Sequence, residues 1–238
     1  RLSLVGSEMC IRDRDEPVEP ASQGMLLRAL LQRSPQLCEM PKTSRLEGLS
    51  VGLGASEQAQ LAELCVAVEA LADLPPMPRI ATGIDWQQVA QPGTDAALLL
   101  FCPLPAGDAC TEAAWRLLGQ VLQGRFYQRL RGELQLGYAL FAGFRQVEGC
   151  RGLLFALQSP VCGAAGIFEH IRAFLDEQRQ SLAQLDDETV SRYRDALLPA
   201  LSPAKANLAR AEQLWQLHLA GLPEAHLQRV QLALTALT

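Results

Sequence analysis

From residue 46 onward the hydrophobic and polar positions fall into clear runs. Leu49, Val51 and Leu53 alternate with small residues, the two-residue period of a strand. Gly54 turns the chain. Ser56, followed by Glu57, predicts a capped helix whose apolar face is Leu61, Leu64, Cys65, Val68 and Leu71. Pro75, Pro76 and Pro78 end that helix in a stiff linker. Segments 84–90 and 96–102 flank Pro92-Gly93 and predict a hairpin. The second segment is apolar throughout, which predicts a central strand covered on both faces. A long helix over 111–131 follows, with Ala114, Leu117, Leu118, Val121 and Leu122 as its buried stripe. Segments 137–143 and 152–158 then predict two strands, able to pair as an antiparallel hairpin across a polar connection containing Gly149.

The rest of the pattern is helical. Ile167, Ile171, Phe174 and Leu182 stripe a helix over 164–185. Asp186 or Asp187 caps the next, which turns Val190, Tyr193, Leu197 and Leu201 inward. Ser202-Pro203 supplies a cap and first residue for a third helix, Gly221 ends it, and a last helix starts at Pro223. Strand–helix, strands around a helix and then helices describe an α+β fold. Its sheet is mostly antiparallel and covered by helices, largely on one face. Residues 15–45 carry no such pattern beyond a short helix over 24–32.

Composition narrows the class. A chain of 238 residues that is 49% hydrophobic can bury a sizeable core. A net charge of −5 argues against a nucleic-acid partner, and no apolar run approaches the roughly 18–20 residues that span a bilayer. Residues 3–14, Ser-Leu-Val-Gly-Ser-Glu-Met-Cys-Ile-Arg-Asp-Arg, resemble one reading frame of an adapter used in preparing sequencing libraries. Residues 1–14 are therefore read as an assembly scar rather than native sequence, and setting them aside makes the remainder one charge more acidic. On that reading the chain is a fragment of a longer reading frame. Cys38, Cys65, Cys102, Cys110, Cys150 and Cys162 form no CxxC pair and are read as buried reduced thiols. Reduced thiols point to the cytoplasm; the periplasm stays open because the native N-terminus lies outside the chain.

Catalytic chemistry is hard to find. The histidines are His170, His218 and His226. The HxxEH helix of zinc peptidases needs two imidazoles beside a glutamate, but Gly166-Ile167-Phe168-Glu169-His170 has glycine in the first position. One imidazole does not hold a catalytic zinc, and His218 and His226 are separated by the Gly221/Pro223 break. No GxSxG, GxGxxG or GxxxxGK[ST] occurs. Asp186-Asp187 is helix-capping chemistry.

Arg131 and Tyr138 remain. An ordinary account exists for both. A basic residue in the last turn complements the helix dipole, Gly132 can take the left-handed position after it, and a Tyr often opens a strand. The stretch Arg131-Gly132-Glu133-Leu134-Gln135-Leu136-Gly137-Tyr138, however, resembles the R-x-x-x-Q-L-G-Y segment of the pitrilysin/insulin-degrading-enzyme (insulinase) family of zinc metallopeptidases. The likeness continues through Phe126–Leu130 and Ala139–Gly143, and Gly152-Leu153-Leu154-Phe155-Ala156-Leu157-Gln158-Ser159 resembles the family's next strand. In all it covers about residues 46–238. Glu133-Leu134 stands where other members often have two polar residues.

The resemblance implies a LuxS/MPP-like α+β domain in the C-terminal half of a two-lobed protease, with the final helix and strand missing after Thr238. Residues 15–45 would belong to the preceding domain region. It implies that Arg131 and Tyr138 reach a peptide substrate, while zinc and its ligands lie in the N-terminal half, the partner of this lobe. The fragment would then be inactive alone. Gln123-Gly124-Arg125-Phe126-Tyr127 is most similar to the branch that processes the precursor peptide of the redox cofactor pyrroloquinoline quinone. A non-catalytic partner subunit of the same fold and a general oligopeptidase are the alternatives.

Overall fold

The computed structural model of the chain describes residues 49–66, 95–147 and 149–237. Its three strands are β1 (Ala96–Pro103), β2 (Ala139–Val147) and β3 (Cys150–Ser159), antiparallel throughout in the order β1-β3-β2. The helices are α1 (Ala55–Val66), α2 (Ala109–Tyr127), α3 (Ala164–Leu182), α4 (Asp187–Leu201), α5 (Asn207–Leu219) and α6 (His226–Ala236). A π-helical turn, Gln128–Glu133, prolongs α2. The α+β class, with an antiparallel sheet packed against helices, is therefore the observed one.

Register explains the core. Leu157 of β3 pairs with Leu98 and Leu140, Phe155 with Leu100 and Ala142, and Leu153 with Cys102 and Phe144. Alternate residues of a strand share a face, so these nine form one apolar layer. Leu122 and Phe126 of α2 and Ile167, Ile171 and Phe174 of α3 pack onto it. Phe126 meets Phe174 edge-on at 5.3 Å and Phe155 at 5.6 Å between ring centroids. Gly119 lets α2 approach closely, because a Cβ there would stand 2.9 Å from Leu153 and 3.1 Å from the Phe144 nitrogen. A second cluster of Ala113, Leu201, Val230 and Leu234 joins α2, α4 and α6.

Several expectations shift. Residues 49–53 form no strand, since Gly52 adopts φ +84° and Leu49 and Leu53 are exposed. Gly54, not Ser56, opens α1, its N–H donating to the Glu57 carboxylate at 2.7 Å. Among the described residues β3 is paired on both sides; segment 84–90, the partner expected for β1, lies outside them, and β1 is half-buried around Leu98. The buried stripe of α2 differs from the expected one, leaving Ala114 exposed and burying Glu112, Ala113 and Gly119 beside Val121 and Leu122. Ser202 ends α4 rather than starting α5, which begins at Asn207 with no side-chain cap. The Asp186 cap, bonded to the Thr189 N–H at 2.7 Å, and Gly221 at φ +65° after α5 match the sequence pattern. Segments 15–45, 75–78 and 84–90 lie outside the described residues.

Candidate functional site

The corner between α2 and β2 is built by contacts at its base. Asp108 caps α2, accepting from the N–H groups of Cys110 and Thr111. At the other end Arg125 donates to Gln178 and Ser181 at 2.9 and 2.8 Å, and Arg129 pairs with Glu177 at 2.9 Å, so the end of α2 is tied to α3. Leu130 is fully buried. The chain then widens into the π-turn, with the Leu134 N–H donating to the Arg129 carbonyl at 3.0 Å. The Leu136 N–H closes on the Leu130 carbonyl at 2.9 Å. Gln135 takes φ +52°, the one positive φ outside glycine among the described residues. Gly137 lies so close to β3 that a Cβ would stand 2.0 Å from the Gln158 carbonyl oxygen. The Ser159 hydroxyl donates to the Leu136 carbonyl and accepts from the Cys162 N–H at 3.0 Å.

Arg131 and Tyr138 stand at the rim of this pinned corner. Arg131 is exposed within the π-turn, and Tyr138 is 43% exposed, one residue before β2. The Arg131 guanidinium lies 5.0 Å from the centroid of the exposed Tyr127 ring, one turn back, within cation–π range. Its Nη1 faces the Tyr138 carbonyl at 3.5 Å, a long contact for a hydrogen bond. A group with five N–H donors thus keeps capacity for an outside acceptor. Two details differ from the sequence expectation. The helical path ends at Glu133 rather than Arg131, and the left-handed residue is Gln135 rather than Gly132. Both shifts fall in the π-turn and the loop that follows it.

Sequence reasoning missed a buried ionic network at the other end of α2. Glu112 is fully buried. It accepts from Arg116 at 2.8 Å, pairs with Arg151, and contacts His226 Nε2 at 2.7 Å. The four-residue spacing of Glu112 and Arg116 was a legible signal. His226, 114 positions from Glu112, gave none. Burial first, then Arg151, Arg116 and Arg229, pull the His226 pKa down to about 4, outweighing the nearby carboxylate. Among the described residues no group of three or more His, Cys, Asp or Glu is arranged to hold a metal ion. Cys102 and Cys162 are free and half-buried, Cys110 is free and exposed, and Cys150 is half-buried, so these four are less buried than the sequence pattern suggests. No described helix is long and apolar enough to cross a membrane.

Comparison with known proteins places this geometry. The family model described as PQQ synthase PqqF-like, C-terminal lobe domain 4, matches residues 117–215, which include the whole corner. Coenzyme PQQ synthesis protein F of Pseudomonas protegens is 41% identical over 200 residues, covering 82% of this chain and 24% of that protein. The protein of the same name from Pseudomonas syringae pv. tomato is 38% identical over 232 residues, covering 93% of this chain and 29% of the relative. The chain thus spans about a quarter of the length of these relatives. The crystal structure of pitrilysin superposes with a TM-score of 0.51 at 26% identity, covering 61% of this chain and 16% of that one. On these matches the chain resembles the C-terminal half of the pitrilysin/insulin-degrading-enzyme (insulinase) family, and within it PqqF.

Proposed function

We propose that this lobe forms one side of the substrate chamber of a zinc metalloendopeptidase of the PqqF type, and that Arg131 and Tyr138 grip the peptide. The observation supporting this is the corner itself. A guanidinium and a phenol stand exposed on a turn whose base is fixed by Leu130, Gly137 and Ser159, inside the segment matched by the domain 4 model. Groups held in place before the substrate arrives need no reorganisation when charge develops on it.

On this reading residues 46–238 form a C-terminal-half domain. The zinc, its ligands and the general base belong to the N-terminal half of the same protease, its structural partner. The substrate is the precursor peptide of pyrroloquinoline quinone. The bound metal supplies an activated water. Arg131 and Tyr138 donate hydrogen bonds to a peptide carbonyl, holding it and stabilising the oxygen as it gains negative charge. In the full-length enzyme, Arg131→Ala and Tyr138→Phe are expected to lower kcat/KM for peptide cleavage by about 10–1,000-fold with zinc content unchanged. Wild-type turnover by both variants contradicts the proposal.

A further inference from the structure

A cavity of about 800 Å³ opens between α2, the β2–β3 hairpin, α5 and α6, and none of its lining residues belongs to the corner at 127–138. Its size is that of a small-ligand pocket. One wall carries Arg116, Arg151, Glu112 and His226, and the facing wall carries Trp215, with Leu222 and Leu227 adding apolar surface.

The charges on the first wall do not balance. Glu112 is shared by both guanidiniums and by His226, so at contact distance two cations face one carboxylate. His226 is neutral near pH 7, since burial and the surrounding arginines pull its pKa down to about 4. Arg116 is held over the Phe144 ring at 4.4 Å, and Arg145, stacked on Phe141 at 4.3 Å, adds its field to that of Arg116. Burial also pulls Arg116 down to about 10. Arg116 and Arg151 keep 22% and 20% of their side chains exposed. A buried ion pair that served packing alone would close its charge, because uncompensated charge in a poorly solvated site is costly. Glu212, on the α5 wall, is the other acidic lining residue and offers an acceptor for an N–H group.

We propose that this cavity binds the carboxylate end of a peptide, with Arg116 and Arg151 receiving the carboxylate, Trp215 covering the terminal side chain and Glu212 facing the peptide N–H. The site is independent of the peptide-gripping corner.

The test is calorimetric titration of the full-length protein with N-acetylphenylalanine, its amide and inorganic phosphate. A charge-assisted pair on a guanidinium is expected to make the acid bind about tenfold or more tighter than the amide. Arg151→Gln is expected to erase that preference. Trp215→Ala, which leaves the ionic network intact, is expected to weaken acid and amide alike while keeping the preference. Equal binding of acid and amide, absence of binding by the acid, phosphate binding as tightly as the acid, or a preference that survives Arg151→Gln in the folded variant overturns the proposal.

Discussion

Gly137 shows how one residue positions the candidate site. The sequence marks it only as the glycine before Tyr138. Its requirement comes from β3, whose Gln158 carbonyl oxygen would be 2.0 Å from any added Cβ. Gly137→Ala must push the corner off β3, at a cost of about 1–3 kcal/mol, measurable as a lower urea midpoint with an unchanged m-value. Arg131 and Tyr138 were legible because they sit in a recognisable motif, and the structure puts both at one rim. The conformation between them was not legible. Gly132 looked like the left-handed cap because cap rules assume that an α-helix simply stops. Here the helix runs on into the π-turn, and the positive φ falls on Gln135 in the loop that follows it. Tyr127 also escaped notice, because on pattern alone it reads as one more residue of the helix, whereas in space it lies under the Arg131 guanidinium.

At the scale of elements, local pattern carried the helices and the β2–β3 hairpin well. It could not say which of the described strands pair with which. β1 and β3 are both rich in apolar residues, and only long-range pairing puts β3 between its neighbours. The Phe126 ring is 1% exposed and joins α2 to β3 and α3, so Phe126→Ala is expected to cost about 3–5 kcal/mol by chemical denaturation. The docking of α6 on α2 has a pH signature. His226 has a folded pKa of about 4 against an ordinary 6.5, so above pH 6.5 it is neutral in both folded and unfolded states. As pH falls from 6.5 towards 4 the unfolded chain takes up a proton that the folded chain resists, and stability declines. Urea midpoints measured across that window should fall more steeply in the native protein than in His226→Gln. Parallel slopes would show that His226 does not contribute.

At the scale of the whole molecule, the chain resembles a C-terminal-half segment and spans about a quarter of the length of its relatives. Its described part joins a sheet, a packed helical layer and a fixed corner that presents two hydrogen-bonding groups. The same α2 helix links the two charged regions. Its end carries the corner, and its start carries the Glu112 network. The most direct measurement of the central claim is a structure of the full-length enzyme, its general-base carboxylate substituted, with the precursor peptide bound. The expected result places the Arg131 guanidinium and the Tyr138 hydroxyl within about 2.6–3.2 Å of a peptide carbonyl beside the metal. A peptide seated at the metal with neither group in direct or water-bridged contact would contradict the account.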